Sequence, residues 1–498
     1  MTTYWNLVER RAAEAPDALV VADDSGSRLT ASALRDRAEE LAYRLGARGV
    51  APGDRVSWIL PSSADAVVLI CALARLGAVQ NPIVPIYGEP EVTSVTHQVG
   101  TKLLITPGTF RKIDFTAMGR AVGERVGFDV VELSELDAGP LQAMPAPTDS
   151  DAVRWVFTTS GTTADPKCVQ HSDRTMIAAG IAIESCGLQA GSRWGGAIPI
   201  THIGGPTVLA LALTVGASMH FIQVLDPVDG CEALRDWGCD VVAGVGMLVT
   251  AMLEFQRGHT ERRFPELRVI AAGGGPKLPG LLERVSGELG CDLVPSYGMT
   301  ECPYVAGAWI DDPIDARAEG EGKPSRGVEV RIVGEDGTVR GPGEEGEIRA
   351  RGPQLFLGYV DSALDADALD DEGYFKTGDL GYLAPEGHLV VTGRLKEMII
   401  RNGENLSVRP IEDLLLQHSG IADVTVIGLP HPTTGECVCA VVVARDGATL
   451  KLDDLRAFCQ ERGLMRQKLP ERLELVDQIP RNPMGKAIKP ELRRRFSS

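Results

Sequence analysis

Between about Ala12 and about His220 the chain alternates two textures, and this alternation restricts the fold more than any other feature. LRDRAEELAYRL places Leu34, Ala38, Leu41 and Leu45 on one helical face. DRVSWIL (Asp54 to Leu60) reads as a strand, DAVVLICALARLGAV (Asp65 to Val79) as a helix and KLLIT (Lys102 to Thr106) as another strand. Strands that alternate with helices pair in parallel, in sheets covered by those helices. LRVIAAGGG (Leu267 to Gly275) reads as a buried strand running into a glycine turn. After Gly320 the texture changes to short alternating strands with turn signals such as Glu335-Asp336-Gly337, and HLVVTG (His388 to Gly393) is one more of them. That pattern predicts a small antiparallel sheet or barrel. From Arg394 onward strands and helices alternate again, which predicts a small C-terminal domain with its boundary near Arg394-Leu395-Lys396.

A chain of 498 residues favours two or more domains. Its net charge of −18 argues against a nucleic-acid polymer or an anionic membrane surface as the main partner. The N-terminus MTTYWNLVERRAAEAPD has no basic start followed by an apolar core, so a cytoplasmic protein is expected. The long uncharged span between Arg193 and Asp226 is broken by Pro199, Gly204, Gly205, Pro206 and Gly216. It reads as buried core or pocket wall, and no integral membrane segment is expected. Ten scattered cysteines without CxxC pairs read as reduced thiols.

The chemistry starts at TTSGTTADPKCVQH, from Thr158 to His171. A short apolar strand, VRWVF (Val153 to Phe157), leads into it, and a helix-like run begins near Asp173. A strand entering a Gly/Ser/Thr loop is a phosphate-cradling layout. Gly161 lets the backbone N–H groups bend around an anion, Thr159, Ser160, Thr162 and Thr163 add hydroxyl donors, and Lys167 adds positive charge. The Walker pattern is absent. A polar surface turn is the competing reading of this loop taken alone.

SGTTADPK resembles the phosphate-loop signature of the adenylate-forming superfamily, which includes acyl-CoA synthetases, peptide-synthetase adenylation domains and luciferases. Six more segments resemble that family in the same order: IPITHIGG, VPSYGMTE, GEIRARGPQLFLGY, YFKTGDL, GRLKEMIIRNGENLSVRPIE and IPRNPMGK. The resemblance implies an α/β fold. A large N-terminal domain, residues 1–393, would hold two parallel-type αβ subdomains and a small β-barrel-like subdomain. A small mobile α+β C-terminal domain, residues 394–498, would follow a hinge near Lys396. It implies ATP, Mg²⁺ and CoA as cosubstrates and cofactor, and a small-molecule acid as substrate. A homodimer is left open.

The resemblance also assigns roles. Glu301 would be the Mg²⁺ ligand, a hard oxygen donor suited to that ion. Thr300 would bond the α-phosphate, Tyr297 would offer an aromatic face near the adenine, and Asp379 would accept hydrogen bonds from both ribose hydroxyls. Arg394 would approach the ribose or phosphate, and Lys486 would bridge the carboxylate and the α-phosphate during adenylation. Ser296, Gly298, Gly274 and Gly275 complete the expected nucleotide-binding set. His202 would flank the acyl group and gate the route to the thiol without having to act as a base. The loop around Gly403 would leave room for a pantetheine arm after the C-terminal domain rotates.

The acyl pocket is expected from His202–Gly205, Gly244–Met247, Gly273–Gly275 and Met299–Cys302, segments with much glycine and no Lys or Arg. That favours a medium-chain, cyclic or aromatic acid. TTADPK and NPIVPIYGEPEV (Asn81 to Val92) resemble ligases of the cyclohexanecarboxylate type. Two other readings stand beside the CoA ligase. One is an adenylating enzyme that passes its acyl group to a carrier protein or an amine, or activates nitrite as a diazotase. The other is a catalytically dead binding protein, disfavoured by the presence of Glu301, Asp379, Arg394 and Lys486. One departure stands out: Cys168 follows the loop lysine where the family carries glycine. A positive φ there would strain the backbone; without one the change is silent.

Overall fold

The computed structural model describes residues 2–136, 141–159, 166–196, 198–224, 226–244, 246–273, 280–401, 404–481 and 486–497. Two large sheets carry the alternating half of the sequence. The first has six strands in the order Cys168–Ser172, Val153–Thr158, Val79–Pro82, Arg55–Trp58, Leu103–Thr106, Asp129–Glu132. All neighbours pair in parallel except Cys168–Ser172, which returns antiparallel along Val153–Thr158. The second sheet has nine strands. Its centre, Asp292–Tyr297, Val269–Gly273, Val241–Ala243, Arg193–Gly196, Ser218–Phe221 and Leu19–Asp23, is parallel, and the short outer strands at both edges are antiparallel.

The helices form where the apolar spacing places them. Ala31–Ala47 buries Leu34, Ala38, Leu41, Ala42 and Leu45, the stripe read from the sequence with Ala42 added. Thr30 caps its start by accepting a hydrogen bond from the Ala33 N–H. Ala64–Leu76 is buried on almost every side, because it is sandwiched between helix Ala31–Ala47 and the sheets. The uncharged span becomes helix Gly204–Val215 and strand Ser218–Phe221, both inside the main core. Among the described residues no helix is long and apolar enough to cross a membrane.

The third sheet is antiparallel: Glu329–Val333, Gly346–Arg351, Phe375–Leu383, Leu389–Arg394. Of the two forms expected for this region it takes the sheet. A single turn, Leu395–Glu397, then leads to the fourth sheet, which starts at Ile399–Arg401 and is dominated by the long hairpin Ile421–His431 and Gly435–Ala444. This C-terminal unit has its own apolar core, with Ile411, Leu415, Val426, Val438 and Leu455 at its centre. All ten cysteines are free and buried.

Candidate active site

The phosphate-loop segment is flanked by two paired strands. Strands Val153–Thr158 and Cys168–Ser172 pair with Cys168 opposite Thr158, and the Thr159 N–H donates to the Lys167 carbonyl at 2.9 Å. Ser160, Gly161, Thr162 and Thr163 lie outside the described residues, as do Gly274, Gly275 and Gly403. Cys168 sits in a regular strand. Its φ is not positive, since among the described residues only Arg111, Lys112 and Tyr304 combine a side chain with positive φ. Its thiol is buried beside Ile59, Val79 and Val156, and burial pushes it up to about 12. The glycine-to-cysteine departure therefore carries no backbone strain.

A second segment is stitched onto this strand pair. The Leu357 N–H donates to the Gln170 carbonyl, the Gln170 N–H to the Gly358 carbonyl and the Val360 N–H to the Cys168 carbonyl, at 2.8, 3.0 and 2.8 Å. Val169 bridges Tyr359 in antiparallel fashion. The stitch brings the Tyr359 side chain between two residues named from the sequence. Its hydroxyl donates to Glu301 Oε1 at 2.8 Å, and its ring centroid lies 4.8 Å from Lys167 Nζ, a cation–π distance. Glu301 is 9% exposed, and burial raises its carboxyl above the usual range despite the opposing Tyr359 hydrogen bond and Lys167 charge.

Glu301 and Thr300 stand on the turn after strand Asp292–Tyr297. Gly298 is required there, because a Cβ would lie 2.3 Å from the Tyr304 backbone nitrogen. Tyr304 itself has φ +53, a local strain of the kind that a surrounding structure must hold in place. The Thr300 carbonyl accepts a hydrogen bond from His171 Nε2 at 2.8 Å, and the other His171 nitrogen lies 3.0 Å from the Thr175 hydroxyl. His171 is wholly buried, which holds its imidazole at about 4 and hence neutral.

Asp379 forms the other wall. It is 3% exposed; the Tyr297 hydroxyl donates to Oδ2 at 2.7 Å, and Arg394 Nε stands 2.7 Å from Oδ1 as an ion pair. Oδ1 nevertheless receives no well-directed hydrogen bond, so a buried acceptor is left with lone pairs to spare. Ser296 is turned instead toward the Ala272 carbonyl, 3.5 Å away. His202 follows the second-sheet strand Arg193–Gly196, and its Nδ1 accepts from the Gly204 N–H at 3.3 Å. Burial first, and the Lys486 charge second, hold it at about 4.

Lys486 thus reaches this cleft from the C-terminal unit. Burial and Arg394 hold its amine below the usual lysine range, while Asp379, Glu397 and Glu301 pull the other way. Its side chain is solvent-accessible although protein surrounds it, as expected at the mouth of a cleft. Lys396 lies in the connecting turn Leu395–Glu397.

Among the described residues no three His, Cys, Asp or Glu side chains are placed to hold a metal ion on their own. The site does fit Mg²⁺ carried by a polyphosphate: a single buried carboxylate, raised by lack of solvent, gains from a divalent ion that brings its other oxygens with it. Sequence reasoning missed Tyr359 and His171. Both fell inside quoted segments, but neither spacing nor residue type ties them to Glu301 and Thr300, which are 58 and 129 residues away.

Residues 8–360 match the family model described as AMP-binding enzyme, and residues 410–486 match that of the AMP-binding enzyme C-terminal domain. The chain is 30% identical to the medium-chain fatty-acid–CoA ligase of Escherichia coli (strain K12), across 99% of this chain and 90% of that one. It is 31% identical to a feruloyl-CoA synthase of an Amycolatopsis species, across 98% of each. Its structure superposes on ATP-bound MatB from Rhodopseudomonas palustris with a TM-score of 0.90 at 27% identity, covering 100% and 99% of the two chains. A buried carboxylate pair, a strand-flanked loop and a lysine delivered by a second unit thus come together with a match along the chain, and the protein belongs to the AMP-binding enzyme family, the adenylate-forming superfamily.

Proposed function

We propose that this protein is an AMP-forming acid–CoA ligase. It activates a medium-chain, cyclic or aromatic carboxylic acid with ATP and passes the acyl group to CoA. The observation that carries the reading is the arrival of Lys486 among His202, Asp379 and Glu301, three groups contributed by separate parts of the N-terminal sheets. In the first half-reaction a carboxylate oxygen bonds to the α-phosphorus of ATP, the bond to the bridging oxygen breaks, and pyrophosphate leaves. Lys486 places its ammonium between carboxylate and phosphate, where negative charge accumulates. Two such anions favour its protonated form, against the desolvation that holds it down in the open site. Asp379 receives the ribose hydroxyls, Thr300 bonds the α-phosphate, and Lys167 with Thr159 and the residues between them holds the outer phosphates. Glu301 would hold Mg²⁺, which would supply charge neutralisation on the phosphates.

In the second half-reaction the CoA sulfur bonds to the acyl carbon, the carbon–oxygen bond to AMP breaks, and the thiol proton passes to solvent. His202 is neutral and a weak base, which suits a wall of the acyl pocket. The acid class is supported by the absence of Lys and Arg from His202–Gly205 and Met299–Cys302, and by the similarity to the two ligases above.

The proposed division falls at 393/394 with Lys396 as hinge, so that rotation withdraws Lys486 and admits the Gly403 loop. The short connector supports it. So does the polar character of contacts across the boundary, such as the Ser407 hydroxyl to the Thr392 carbonyl at 2.7 Å and Arg409 to the Val391 carbonyl at 2.9 Å. Cytoplasmic placement fits ten reduced cysteines. Light scattering on the purified chain tests the homodimer.

The deciding experiment offers a panel of acids and ATP with CoA, hydroxylamine, or nitrite plus amine, and reads products by mass spectrometry. CoA-dependent thioester and AMP support the ligase. Product only with another acceptor overturns the CoA step, and absence of AMP under every condition overturns adenylation.

A further inference from the structure

The second sheet has a cavity at the end remote from the adenylation cleft. His202 and the Tyr297–Glu301 turn follow the C-terminal ends of its parallel strands, whereas Arg193 and Ser218 begin two of those strands. His220, Gly195, Ala22 and Arg28 occupy one row of the pairing register, so they share a face. Helix Pro227–Asp236 covers Gly195 on that face through Leu234. The outer strands Leu19–Asp23 and Arg28–Thr30 continue beyond it. Between them lies a cavity of about 570 Å³, lined among others by Arg11, Arg28, Arg193, Ser218, His220, Asp236 and Trp237.

The charge in this cavity is unbalanced. Asp236 is its one carboxylate, and Arg235, outside the lining, already pairs with it at 2.8 Å. Arg193 donates to the Trp237 carbonyl at 3.0 Å, the end of the covering helix, which accounts for its position. Arg11 lies in the last turn of helix Tyr4–Glu14 and Arg28 is exposed; among the described residues their guanidinium groups have no carboxylate or carbonyl partner, and Arg11 Nε is buried without one. Arg11 reaches in over Gly216, where a Cβ would lie 2.9 Å from its terminal nitrogen. His220 is 2% exposed; its Nε2 meets the Ser218 hydroxyl at 3.0 Å and its Nδ1 is orphaned. Burial, then the fields of Arg28 and Arg193, hold its imidazole at about 4, so the cavity is electropositive even without a charge on the ring. In a chain of net charge −18 this cavity gathers three guanidinium groups against one carboxylate that is already paired.

We propose that this cavity is a second ligand site, separate from the adenylation cleft, for a small molecule bearing a phosphate monoester. Arg11, Arg28 and Arg193 would hold the phosphate oxygens and Ser218 would add a hydroxyl. Guanidinium forks match a tetrahedral dianion better than a monovalent carboxylate, and three of them more than balance its two charges. The volume exceeds what one phosphate fills and falls in the range of metabolite pockets, which leaves room for the organic part beside Trp237.

The test uses the full-length chain with its nucleotide site saturated by AMP, titrated with inorganic phosphate in one arm and ribose 5-phosphate in the other. Binding is read by tryptophan fluorescence, with Trp237→Phe identifying the responding ring, and its stoichiometry by equilibrium dialysis. Saturable binding below about 10 mM, weakened about tenfold or more by Arg28→Gln and partly restored by Arg28→Lys, supports the site. Arg28 lies on an exposed edge strand outside the adenylation machinery, so acid-dependent pyrophosphate exchange should be unchanged in Arg28→Gln. Tighter binding of ribose 5-phosphate than of phosphate supports the monoester. Equal affinity overturns the organic part of the proposal and leaves free phosphate as the ligand. No saturable binding of either probe, or equal binding by parent and Arg28→Gln, overturns the site.

Discussion

The two sides of the proposed adenylation cleft are built differently. On the N-terminal side, Glu301, Tyr359, Thr300, His171, Asp379 and Tyr297 are held to one another or to their neighbours by hydrogen bonds of 2.7–3.0 Å, and most are buried. On the other side a single exposed lysine is delivered by a unit with its own core, through a connector of one turn. On the proposed reading, the contrast separates charge-stabilising groups that are locked in place from one that a second unit would carry in for adenylation and withdraw afterwards. Preorganised groups stabilise a transition state without reorganisation cost, which a carried group cannot match.

The comparison breaks first at the lysine. Lys486→Ala should lower acid-dependent ATP–pyrophosphate exchange by about 10³-fold or more while leaving thioester formation from supplied acyl-adenylate within about threefold. Equal loss in both half-reactions would mean that Lys486 is as fixed as the buried side. Glu301→Gln should do the opposite in kind, reducing exchange by about 10²-fold with a matching rise in the Mg²⁺ needed for half-maximal rate. Tyr359→Phe removes one hydrogen bond to a buried carboxylate. It should raise the KM for Mg–ATP by about tenfold with little change in kcat, and an unchanged KM would remove Tyr359 from the positioning set.

Acid should loosen the locked side. His171 is held at about 4 against an ordinary 6.5, so the unfolded chain takes up a proton between those values that the folded chain refuses. Stability should therefore be full above about 6.5 and fall as pH drops toward 4, by up to about 1.4 kcal/mol per pH unit for this group. Urea midpoints across that window should show a shallower slope in His171→Asn. The smallest effect is expected at the loop base: Cys168→Gly should leave exchange unchanged and cost about 1–2 kcal/mol of stability through a small cavity and a glycine in a strand.

Much of this architecture is legible in the sequence because its signals are local. The stripe Leu34, Ala38, Leu41, Leu45 and the apolar run Val153–Phe157 declare a helix and a strand within a dozen residues. The change of texture after Gly320 marks the antiparallel third sheet. Glu301, Asp379 and Lys486 are legible through the motifs around them. What is not legible is the contact made at long range. The stitch of Leu357–Val360 onto Cys168–Gln170 joins backbone to backbone, so no side-chain pattern records it. Tyr359 and His171 acquire their contacts through side chains that meet Glu301 and the Thr300 carbonyl from far along the chain. Cys168 was ambiguous because its meaning depends on one dihedral angle, and residue type does not report φ when the residue departs from glycine.

The burial of every cysteine has a chemical consequence. An acyl-adenylate is a mixed anhydride, and any accessible thiolate on the enzyme would compete for it. All ten cysteines are buried and all ten thiols are pushed above their ordinary range. Cys302 illustrates this beside the cleft itself, where burial and the adjacent Glu301 hold it at about 12. The protein's own sulfur is thereby silenced against self-acylation, and the incoming thiol meets the activated acyl group without a rival.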